Sequence, residues 1–125
     1  MRLPCESIVS AVLPALRALI AKELIEYHSL TQVEAAQRLG TTQPAISHYL
    51  NGRRGDQLTT SLRSVPEVTS AILDLGANIA KETPSHAQVM SMICELCESL
   101  RRGGVTCTLH RGTTELPDNC AMCKT

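Results

Sequence analysis

Six cysteines, at positions 5, 94, 97, 107, 120 and 123, are the most reactive side chains of this 125-residue chain. Thiolates bind zinc and iron–sulfur clusters, and paired thiols carry redox chemistry. In "ICELCESLRRGGVTC" Cys94 and Cys97 stand three apart, so on a helix both project from one side near its end. Cys107 follows a Gly-Gly turn that can bring the chain back over them, which gives C-x2-C-x9-C. A four-ligand site then needs one more donor, and Cys5, His110, Cys120 and Cys123 are the candidates.

Two assemblies are open. Cys94 and Cys97 with Cys120 and Cys123 would form a zinc site from two C-x2-C pairs. The 22 residues between those pairs exceed the spacing of roughly 15–20 typical of a zinc ribbon. Cys5, Cys94, Cys97 and Cys107 would instead ligate an iron–sulfur cluster, which needs thiolates but no fixed linear spacing. A thioredoxin-like dithiol switch requires a strand–helix junction, and no strand pattern is visible. Met90, Met92 and Met122 read as filler rather than ligands.

A second group of polar side chains crowds "LGTTQPAISHYLNGRRG". Gln43 can bond adenine bidentately in the major groove, Ser47 can donate or accept, and His48 can donate to guanine or phosphate. Thr41 and Thr42 share that end of the helix, while Thr31, Gln32, Arg53 and Arg54 fall where phosphates would be met.

These groups need helices to hold them. Ser7 can cap a first helix, and Pro14 either kinks it or opens a second one running through "PALRALIAKELIEYH". Thr31 with Glu34 makes a capping box, Leu30 can staple onto the first turn, and Gly40 suits a left-handed end. Thr42 caps the next helix, with Pro44 in its first turn and Ala45, Ile46, Tyr49 and Leu50 as its packing side. "RRGDQLTTSLRS" is polar and reads as a linker. A helix follows from Pro66, in which Gly76 costs roughly 1 kcal/mol relative to Ala. Ser85 caps the last, with Val89, Met92, Ile93, Leu96 and Leu100 as its stripe. Residues 105–125 show no periodicity and should be loose without a ligand.

Composition agrees with helices. Phe and Trp are absent, and only two Tyr occur, so Leu, Ile, Val, Ala and Met must build the core. Net charge is zero, but residues 1–63 carry seven Lys/Arg against five Asp/Glu, and the remainder the reverse bias, five against seven. A basic face therefore belongs to the N-terminal half. The apolar start is interrupted by Arg17, Lys22 and Glu23, so neither a signal peptide nor a membrane span is read, and a cytoplasmic location is expected. In that compartment six cysteines point to metal or redox chemistry more than to disulfides. No His/Asp/Glu constellation or phosphate loop suggests an enzyme, and no small-molecule substrate is identified.

"LTQVEAAQRLGTTQPAISHYLNGRRG" resembles the helix-turn-helix of the lambda-repressor/Cro-like (XRE) transcriptional regulators. Thr31-Gln32, Ala36, Gly40, Gln43, Ile46-Ser47 and Asn51-Gly52 carry the resemblance. It implies that Gln32 approaches a phosphate while Gln43 and Ser47 face bases; Pro44 departs from the usual polar residue. From residue 3 to 107 the chain also resembles a mainly archaeal group of regulators with Pro-Cys-Glu near the start and a C-terminal cysteine cluster. That likeness implies an iron–sulfur cluster, [4Fe-4S], on Cys5, Cys94, Cys97 and Cys107, with zinc as the alternative and His110, Cys120 and Cys123 as substitute ligands.

The expectation is an all-α helical bundle containing a helix-turn-helix, with a cysteine-rich C-terminal segment that binds a metal or cluster. Residues 1–55 would form the DNA-binding domain, 56–64 a linker, and 65–125 a sensing and dimerising region. Function would be sequence-specific binding of double-stranded operator DNA by a homodimer, modulated by the cluster.

Overall fold

Pro14 decides how the chain begins. It has no amide hydrogen to give, and its ring crowds the carbonyl four residues back. In the computed structural model, which describes residues 3–51, 56–105, 107, 119, 120 and 122, a short helix α1 (Pro4–Ser7) widens into a π-helical turn over Ile8–Val12. Helix α2 (Leu13–Glu26) then starts with Pro14 in its first turn. Helical backbone therefore begins at Pro4, ahead of the start expected at Ser7, and Leu3 N–H donates to the Glu6 carboxylate at 2.9 Å.

Helix α2 is the axis of the molecule. Leu16, Ile20, Ala21 and Leu24 are wholly buried, and Ala15, Ala18 and Leu19 nearly so, which a helix achieves only when neighbours surround it. Those neighbours are α3 (Gln32–Leu39), α4 (Gln43–Asn51), α5 (Asp56–Arg63) and α6 (Pro66–Glu82). Helix α7 (His86–Arg102) lies against α3 and α6 and adds Val89, Leu96 and Leu100 to the same core. The molecule is all-α, with no strand among the described residues.

The linker expected over 56–64 is a helix instead. Thr59 and Leu62 of α5 are buried beneath it, so two well-placed side chains outweigh a Ser/Thr-rich composition. Apolar side chains from both sides of that segment belong to one continuous core, running from Val12 through Ile46 and Leu62 to Leu100.

Capping follows the sequence closely. Thr31 Oγ1 accepts from Glu34 N–H at 3.1 Å and Glu34 Oε1 accepts from Thr31 N–H at 3.2 Å. Ser85 and Gln88 form the same reciprocal pair at the start of α7. Gly40 is left-handed at φ 65°, and the following Thr41 N–H donates to Ala36 O at 2.9 Å, closing the end of α3.

Candidate nucleic-acid interface and the cysteine helix

The turn at Gly40 carries the chain from α3 into α4 within three residues. Thr42 Oγ1 accepts from Ala45 N–H at 3.3 Å, so Thr42 caps α4 as expected and its backbone carbonyl takes the Ile46 N–H at 3.1 Å. Ile46 is wholly buried, and Tyr49 and Leu50 pack onto the core. That anchorage leaves Gln43, Pro44, His48 and Asn51 exposed, with Ser47 half-buried between them. The outward face of α4 is thus polar, short and held on a rigid scaffold, as a helix must be to read base edges.

Gln43 and Gln32 meet across the turn: Gln43 Nε2 donates to Gln32 Oε1 at 2.6 Å. The bond fixes both amides and uses one of Gln43's two N–H groups. Gln43 keeps one N–H and its carbonyl oxygen, the pair that the N7/N6 edge of adenine requires. Gln32 keeps its own NH2 at the N-terminus of α3, where free backbone N–H groups and the helix dipole favour an anion such as phosphate. Asn51 Nδ2 donates to Ser47 Oγ at 3.4 Å, leaving the Ser47 hydroxyl hydrogen available. In the sequence Asn51 stands out only through the family resemblance; its position four residues after Ser47 is the signal for this second role. Thr41 is half-buried in the turn, and Arg53 and Arg54 lie outside the described residues.

Two contacts that sequence reasoning missed tie this unit to the C-terminal helices. Arg38, in the last turn of α3, donates from Nη1 to Ile79 O at 2.8 Å and Ala80 O at 3.1 Å, where α6 presents its late carbonyls. His86, the first residue of α7, places Nε2 2.7 Å from Gln37 O, with its ring against Gly40. The turn between α3 and α4 is therefore held by the helix that carries Cys94 and Cys97.

Burial, reinforced by neighbouring Cys94, pushes the Cys97 thiol above its ordinary range, while Arg101 pulls the other way. Cys94 is exposed and Cys97 half-buried. After α7, Gly104 is left-handed at φ 82° and Cys107 N–H returns to Gly104 O at 3.1 Å. Among the described residues no three His, Cys, Asp or Glu side chains are grouped to hold a metal ion. Cys5 is exposed on α1, and Cys107 and Cys120 are half-buried. His110 and Cys123 lie outside the described residues. No helix among the described residues is long and apolar enough to cross a membrane.

Comparison with known proteins bears on the first of these two regions. Residues 22–55, the end of α2 through α4, match the Helix-turn-helix family (HTH_3), which is of the XRE type. The match supports a transcriptional regulator that binds double-stranded DNA, and it stops well short of Cys94 and Cys97. No curated protein and no solved structure matches the chain.

Proposed function

We propose that the helix-turn-helix of residues 22–55 reads an operator sequence, with α4 in the major groove and Gln43, Ser47 and His48 toward the bases. Gln32 and the start of α3 sit on phosphate, and Arg53 and Arg54 follow as further phosphate contacts. The observation that carries this reading is the Gln43–Gln32 bond, which leaves one amide with the donor and acceptor adenine needs and the other with donors for phosphate. A helix of nine residues buries too little to reach operator affinity alone, so the active species is a cytoplasmic homodimer on a palindromic site.

Binding-site selection on randomised duplexes tests it. Gln43→Ala and Ser47→Ala should each flatten preference at one or two base positions, at about 1–3 kcal/mol per lost bidentate contact. Arg53→Ala and Arg54→Ala should instead weaken all duplexes alike and reduce the salt slope by about one per charge. Unchanged selectivity in both Gln43→Ala and Ser47→Ala would remove α4 from the role of reader.

A second reading concerns α7, where Cys94 and Cys97 lie one turn apart on the helix whose first residue holds the turn of the DNA-binding unit. It assigns them to a cysteine-ligated [4Fe-4S] cluster that makes DNA binding redox- or iron-dependent, with Cys5 and Cys107 completing the set; a structural zinc is the alternative. Closing four thiolates requires the Cys5 segment and the chain after Gly103 to come onto α7. Iron and sulfide in anaerobically purified protein distinguish a cluster from zinc. Operator affinity and stability both unchanged in Cys94→Ser/Cys97→Ser would exclude either role.

A further inference from the structure

A cavity of about 310 Å3 opens between α2 and α6, away from α4, and nothing in the DNA-binding reading uses it. Leu19, Val68 and Ile72, all buried, form its apolar walls. Glu23 lines the same space and retains only 9% of its surface, yet among the described residues no hydrogen bond or ion pair holds its carboxylate. The stem is packed away while the carboxylate oxygens stay open to the cavity, which offers a ligand a negative charge beside apolar walls.

The space around Glu23 is built, and built at a cost. Gly76, buried in the middle of α6, lies against it: a Cβ there would stand 2.5 Å from Glu23 Cγ. A glycine in a helix interior is disfavoured, and here its lack of a side chain is what lets the Glu23 stem pass. A helix-weakening glycine and a carboxylate open to the cavity thus meet at one cavity wall.

We propose that this cavity binds a small monoamine with an apolar body, its ammonium group on the Glu23 carboxylate and its hydrocarbon against Leu19, Val68 and Ile72. The size falls at the lower end of ligand sites, roughly 300–1,000 Å3, which suits a molecule of a few carbons. Lys22, Glu26 and Arg63 also line the space, so a second acid and two cations surround the Glu23 charge. An anion seated on the apolar wall would meet the Glu23 carboxylate head on.

The test is titration of the full-length, DNA-free protein with hexylamine, hexanol and hexanoate, followed by methyl NMR and thermal melting. Hexylamine should shift the Leu19, Val68 and Ile72 methyl resonances saturably, move the Glu23 side-chain carboxyl carbon resonance, and raise the melting temperature. Hexanol and hexanoate should bind at least tenfold more weakly. Glu23→Gln should lose hexylamine affinity at least tenfold. Equal response to the three ligands, undiminished binding in Glu23→Gln, or a Glu23 carboxyl resonance that stays still during the wild-type titration would each overturn the proposal. The last reading needs no variant to fold.

Discussion

Cys97 shows how a single side chain's surroundings set its chemistry. Burial first, and Cys94 next to it second, hold its thiol protonated to higher pH than usual, against the pull of Arg101. Cys94 is exposed on the same helix and meets reagents first. Iodoacetamide should therefore label Cys94 before Cys97, and the Cys97 rate should still climb at pH values where an ordinary thiol has levelled off. Mass-spectrometric labelling across an alkaline pH series checks this. The linkage has a definite sign: with the folded pKa raised, this stabilisation is complete below the unfolded thiol's pKa and disappears as pH rises through the folded one. Denaturant midpoints of wild type should fall over that alkaline window more than those of Cys97→Ala; parallel curves would show that Cys97 does not contribute. The types of these residues, like those of Gln32 and Gln43, were legible in the sequence. Their partners were not: His86 finds Gln37 across 49 positions, and only the fold brings them together.

Among the elements, α6 shows how a local preference can be misleading. Gly76 reads from sequence as a weak point, and replacing it with Ala in an exposed helix should gain about 1 kcal/mol. Glu23 Cγ fills the space a methyl would need, and it lies mid-chain, where a side chain moves least freely. Gly76→Ala should therefore lower stability, by about 1–3 kcal/mol as for other overpacked cores. Glu23→Ala/Gly76→Ala should recover most of that loss relative to Glu23→Ala alone. Urea denaturation of the four proteins checks it, and a stabilised Gly76→Ala would show that Glu23 moves aside without cost. Elements whose ends are set by local bonds were readable: the Thr31–Glu34 capping box, the Ser85 cap and the left-handed Gly40 are chemistry between residues three or four apart. Helix α5 and the π-turn before Pro14 were not. The first depends on burying Thr59 and Leu62 against distant helices, and the second on how the chain resolves a proline clash that sequence leaves open between a kink and a fresh start.

For the molecule as a whole, the decisive fact is that the reading head shares its core with the helices beyond it. Ile46, which seats α4, shares one apolar cluster with Leu62, Val68, Ile72, Leu75, Ile79 and Leu100, all from beyond residue 55. Each such side chain contributes about 1.5–3 kcal/mol when buried, and a whole domain is stable by only about 5–15 kcal/mol. A chain ending at residue 55 loses all six and uncovers the side of α2 that α5 and α6 pack against. It should show no cooperative thermal transition by far-UV circular dichroism and no operator binding, although it contains the entire matched segment. A sigmoidal melt from that fragment would mean the N-terminal helices suffice. The same continuity gives α6 and α7 a route to the DNA-binding turn. Arg38 grips the end of α6 and His86 brings α7 onto Gln37, so a displacement of either helix must move α3 or break these bonds. His86→Ala and Arg38→Ala should accordingly weaken operator binding without touching a base contact, and methyl and amide NMR shifts centred on Gly40 would locate the effect at the turn.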